Sequence, residues 1–199
     1  MASMLWAGVD VGGRRKGFHL AAVDGERLHA GPVRVSGVRD AVRWLRWRAP
    51  RLVAVDSPRS PAPDGLRSRP EERLLASNVC GIRFTPERAL LGRSRYYEWI
   101  LRGLELYAAL EDAGLTVIEC FPTASFTRWA GARGARTRAV WTREALAGSG
   151  LAGVPLRLNQ DERDAIAAAL TARCHELGLA ERFGEIVVPA AASARADRH

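Results

Sequence analysis

Lysine is almost missing from this chain. Lys16 is the only one, so arginine carries nearly all of the 30 lysine-plus-arginine charges. Cysteine is scarce too. Cys80, Cys120 and Cys174 lie far apart, with no C-x-x-C pair and no Cys/His ligand spacing, which argues against a zinc site. An odd count without a secretory signal implies reduced thiols. Cys120, inside an apolar stretch, reads as a small core residue. No apolar run approaches the ~20 residues that a membrane-spanning helix needs. Met1 to Val11 has no basic leader and its apolar stretch soon meets Asp10. It reads as a first strand rather than a signal peptide, and a cytoplasmic protein is expected. The histidines His19, His29, His175 and His199 follow no catalytic spacing, and no Ser/His/Asp or Cys/His arrangement is visible.

What is present fits one folded unit. A length of 199 residues with 47% hydrophobic and 26% charged composition supports a full core. A single domain over 1–189 is expected, followed by a disordered tail over 190–199. The net charge of +8 favours a polyanionic partner, with nucleic acid foremost.

Three short apolar segments open the chain: Leu5 to Val11, Gly17 to Val23, and Arg27 to Val35. The Asp24-Gly25 turn marks a hairpin, and Pro32 places the third strand at an edge. Ser36 is a candidate cap for a helix from Gly37 to Trp47. Leu52 to Asp56 is apolar until its last residue, as a central parallel strand covered on both faces should be. Four prolines make Ser57 to Pro70 a loop. Helices are expected over Glu71 to Val79, Arg95 to Ala113, Thr123 to Trp129, Trp141 to Ala147 and Asp161 to Leu177. Further strands are expected at Leu115 to Cys120 and Ile186 to Val188. Three antiparallel strands followed by parallel crossovers is the ribonuclease H-like order: an α/β mixed sheet with helices on both faces, strands four and five lying beside strand one.

This topology gives the acids their meaning. Asp10, Asp56 and Glu119 end strands one, four and five, and parallel strand ends emerge on one edge. Asp161 and Asp164, three apart, share a face of the late helix, whose alanines permit close packing against the sheet. Clustered carboxylates repel unless a cation lies among them, and an all-oxygen set suits Mg2+ or Mn2+. Each acid alone also reads as a turn former or a first-turn helix residue.

Several segments together resemble the family called domain of unknown function 429, described as predicted nucleases of ribonuclease H-like fold. They are Gly8-Val9-Asp10, Val55-Asp56-Ser57-Pro58, Arg69 with Glu72-Arg73, Gly81-Ile82-Arg83-Phe84-Thr85-Pro86, Ile118-Glu119-Cys120-Phe121-Pro122-Thr123, Asn159 to Ala165, and Glu185 to Pro189. The resemblance implies the fold and candidate acids at Asp10, Asp56, Glu119 and Asp164. The set Asp10, Asp56, Asp161, Asp164 also resembles the acids of Holliday-junction resolvases. Metal ligation is expected at Asp10, Asp56 and Asp164, with Glu119 or Asp161 assisting catalysis. Arg14, Arg15, Lys16, Arg69 and Arg73 are candidates for binding nucleic acid, and Arg73 is expected to pair with a site carboxylate or a phosphate. The tryptophans are expected to pack rather than to stack on bases. Three functions follow: a metal-dependent phosphodiesterase on DNA or RNA, a non-catalytic nucleic-acid-binding module, and a nucleotide phosphotransferase-like protein. The last normally needs a second domain for which this length leaves no room.

Overall fold

The computed structural model describes residues 4–191, so the expected tail falls almost wholly outside the described residues. Seven strands form one sheet in the order β3-β2-β1-β4-β5-β7-β6. Strands β1 (Trp6–Val11), β2 (Phe18–Val23) and β3 (Leu28–Val35) make the antiparallel meander, with β3 at the edge, where Pro32 is tolerated. Strands β4 (Leu52–Asp56), β5 (Val117–Cys120) and β7 (Ile186–Pro189) run parallel to β1, and β6 (Ala180–Phe183) closes the far edge antiparallel to β7.

Helices cover both faces. On one lie α1 (Val38–Arg48) and α4 (Glu98–Asp112), where Leu45, Leu106 and Leu110 meet Val9, Val55 and Val117. On the other lies α7 (Gln160–Glu176), with α5 (Pro122–Ala130) and α6 (Arg138–Gly148) against it. Sequence explains how closely α7 approaches. A Cβ on Gly8 would sit 2.1 Å from the Ala169 nitrogen and 2.2 Å from the Ala165 oxygen, so strand and helix touch backbone to backbone. Glycine on β1 and the run Ala165, Ala167, Ala168, Ala169 on α7 are the two halves of that contact.

Several local expectations shift. Gly37, not Ser36, is the N-cap of α1, without a side-chain bond. A 3-10 turn over Arg95–Tyr97 precedes α4. Pro70 takes the first turn of α2 (Pro70–Asn78), where its missing N–H costs nothing. Helix α6 begins at Arg138, capped by Thr137. The short helix α3 (Arg88–Leu91) and strand β6 carry little apolar periodicity and were not foreseen. Trp6 and Trp141 are core residues as expected, whereas Trp47 is 73% exposed. Among the described residues no helix is long and apolar enough to cross a membrane.

Candidate metal centre

Asp10 and Asp56 are register partners on the parallel pair β1 and β4, so their side chains leave the same face at the same edge. Asp164 lies one turn into α7, on the stretch that Gly8 and the alanines hold against β1. One carboxylate oxygen from each of Asp10, Asp56 and Asp164 lies within 4.8 Å of the other two. Asn159 fixes the start of α7: its side chain accepts from the Glu162 N–H at 2.9 Å, and Glu162 accepts from the Asn159 N–H at 2.7 Å.

The three acids are held in an unfavourable state. Burial pushes the Asp10 pKa up, the nearby Asp161 adds to this, and His19 opposes it. Burial raises the Asp56 pKa well above its ordinary value, reinforced by Asp10 and Asp164. Asp164 is pushed up to about 7 by burial and by Asp10, against the pull of Arg138 and of the hydrogen bond from Gln160. The Arg138 Nη2 lies 3.1 Å from Asp164 Oδ2, and Gln160 donates to Oδ1 at 2.8 Å. Three oxygen donors, countered among the described residues by the half-exposed Arg138 on Asp164, fit a hard divalent ion.

His19 is the residue that sequence reasoning missed. It pairs with Asp10 across the β1–β2 ladder, and its Nδ1 lies 3.5 Å from Asp10 Oδ2. It is buried, and among the described residues Asp10 is the acid that pairs with its Nδ1. Asp10, His19 and Asp161 also bring one ligand atom each within 4.8 Å. The signal was available: Asp10 and His19 flank a tight turn closed by the Gly12 N–H donating to the Gly17 carbonyl at 2.9 Å.

Asp161 is already engaged. Lys16 donates to both of its oxygens, at 2.9 and 3.0 Å. Glu119 reaches the same edge, but its register partner is Val55, one residue before Asp56. Its side chain therefore leaves the opposite face of the sheet from Asp10 and Asp56. There Arg69 grips it in a fork, Nη1 to Oε1 at 2.7 Å and Nη2 to Oε2 at 2.8 Å, and the Arg59 backbone N–H donates at 2.9 Å. Burial works to lower the Arg69 pKa, but the hydrogen bonds and charges of Glu119 and Glu71 carry it above the usual arginine range. Burial pushes Glu119 up, against the bonds and charge of Arg69.

Two expectations about arginine are thereby corrected. Arg69 is 1% exposed and its guanidinium is committed to Glu119 and Glu71, so it offers nothing to a phosphate. Arg73 donates to Ser68 Oγ at 2.6 Å and pairs with no carboxylate among the described residues, so the foreseen carboxylate pairing belongs to Arg69. Arg14, Arg15 and Lys16 do sit on the rim, in the turn that follows Asp10, and all three are exposed. Arg14 leans on Glu98 at 3.1 Å.

Two solved structures of RuvC from Thermus thermophilus are similar to this chain. One is 22% identical with a TM-score of 0.49, covering 88% of this chain and 97% of that one. The other, in complex with a Holliday junction substrate, is 21% identical with a TM-score of 0.50, covering 88% and 96%. The fold is ribonuclease H-like. No curated protein matches the sequence. The family described as "Protein of unknown function (DUF429)" matches over residues 8–187, nearly the whole sheet and every acid above, and the chain belongs to it.

Proposed function

We propose that the protein is a metal-dependent nuclease that hydrolyses phosphodiester bonds of DNA or RNA. The observation that carries this reading is the convergence of Asp10, Asp56 and Asp164, far apart in sequence, within 4.8 Å of one another. These three residues would hold Mg2+ or Mn2+. Such an ion, when bound, polarises a phosphoryl oxygen and makes water a better nucleophile. His19 stands behind Asp10 and orients its carboxylate. Lys16 and Arg15 draw the phosphate backbone to the rim, and Lys16 holds Asp161 beside the cluster. Arg138, half-exposed, is free to exchange Asp164 for a substrate phosphate. The fold is shared with a RuvC structure that holds a Holliday junction substrate, in keeping with a nucleic-acid partner. Three cysteines without a disulfide among the described residues accord with a cytoplasmic setting.

The test is purified protein with Mg2+ or Mn2+ on labelled single-stranded, duplex, hybrid and branched substrates. Cleavage that disappears in Asp10→Asn is expected; cleavage that survives it rules out the mechanism. One observation favours a second reading, a non-catalytic nucleic-acid-binding module: Lys16 and Arg138 already neutralise Asp161 and Asp164. That reading requires salt-sensitive binding without cleavage, and calorimetry that detects no Mg2+ uptake.

A further inference from the structure

A cavity of about 490 Å³ opens beside the acid cluster and shares Asp56 with it. Ile82, Trp99 and Phe121 give it apolar walls, Arg83 and Arg138 supply positive charge, and the acids Glu72 and Glu119 that also line it are engaged by Thr85 and Arg69. Its volume falls within the roughly 300–1,000 Å³ of pockets that enclose small organic ligands. Ile82 and Phe121 rest on the core cluster of Leu75, Ala124, Ile186 and Val188, which fixes that wall. Trp99, from the first turn of α4, is only partly buried. Among the described residues its ring meets no other aromatic ring and its indole N–H has no protein acceptor.

We propose that this cavity seats one unpaired nucleobase, stacked on Trp99, from the strand whose phosphate lies at Asp10, Asp56 and Asp164. The proposal rests on the nuclease reading and narrows its substrate to strands that present an unpaired nucleotide. Three observations carry it. Base and phosphate of one nucleotide hang on the same sugar, so a base slot must adjoin the phosphate site, and Asp56 belongs to both. An indole that lines the cavity beside apolar side chains suits the flat surface that every base offers, and such stacking tolerates any sequence. The arginines complement the flanking phosphates, and Arg83 is steadied over the Tyr96 ring, 5.5 Å from its centroid. A base inside an intact duplex cannot enter such a cavity without leaving the stack.

The test is fluorescence anisotropy of the full chain, in EDTA so that no cleavage intervenes, with a labelled single strand and with that strand annealed to its complement. Trp99→Ala should weaken single-strand binding about tenfold and change duplex binding less than about twofold. Trp99→Phe, which keeps an aromatic face, should restore most of the loss. With the unaltered protein, moving an abasic site along the strand should reproduce the tenfold loss at one position. Equal losses on both forms, no loss in Trp99→Ala, or indifference to every abasic position overturns the proposal. The nuclease reading fails separately: absent cleavage with Trp99-dependent strand binding removes the reaction and leaves the base slot. Cleavage with Trp99-independent binding does the reverse.

Discussion

Glu119 and Asp56 stand near the ends of neighbouring strands of one sheet, a single residue out of step, and differ in how their charge is met. On the α4 face, Glu119 lies in the fork of Arg69, and Arg69 in turn is tied to Glu71. On the α7 face, Asp56 meets Asp10 and Asp164, with Arg138 as the nearest relief and half of that side chain in solvent. A buried carboxylate that has its own arginine is finished as a structure. A buried carboxylate that faces other carboxylates is a demand for a cation from outside. The comparison separates a clamp, which ties the 57–69 loop and α2 to β5, from a site.

The closed side breaks most expensively. Arg69→Met should leave Glu119 buried and unpaired, at a cost of about 3–5 kcal/mol, read as a lowered melting temperature. Adding Glu119→Gln should recover part of the loss. A single variant that melts like the parent would show that the clamp does not hold the loop. Next comes the seat of the open side. Gly8→Ala forces α7 away from β1 at a cost of about 1–3 kcal/mol. It should displace Asp164 and remove the stabilisation by Mn2+ seen in a thermal melt.

Asp164 sets the direction of the pH dependence. Asp164 binds its proton up to about 7 in the folded state, whereas its ordinary value is 3.8. Between those pH values the folded chain holds more protons than the unfolded one, so metal-free stability should fall as pH rises from about 4 to 7. Asp56→Asn should flatten that fall and raise the metal-free melting temperature at pH 8, while abolishing cleavage. A variant less stable than the parent at pH 8 would mean that the repulsion is not the governing term. The smallest effect belongs to Lys16→Gln. This side chain is 64% exposed, so its pair with Asp161 contributes less than about 1 kcal/mol. The substitution should reduce the salt dependence of nucleic-acid binding by about one counterion.

Asp10 and Asp56 were legible because each ends an apolar run that could only be a buried strand. Asp164 was legible because it shares a helix face with Asp161 and small residues follow it. Which face each strand-end acid takes was not legible. That depends on the β4–β5 register, set by packing between segments some sixty residues apart, as in the pairing of Val55 with Glu119. For the same reason the sequence grouped Glu119 with Asp10 and Asp56 although its side chain leaves the other face, and left Arg69, its partner, reading as a surface cation. His19 was hidden by being judged on sequence spacing alone, when its relation to Asp10 is a ladder contact across a turn.

The account stands on Asp10, Asp56 and Asp164 forming a divalent-cation site, and calorimetric titration of the full chain with Mn2+ tests this most directly. Saturable uptake at pH 8, weakened at pH 5 where protons compete for the same oxygens and lost in Asp10→Asn, is the predicted result. Absence of uptake at pH 8, or uptake indifferent to Asp10→Asn, would contradict it.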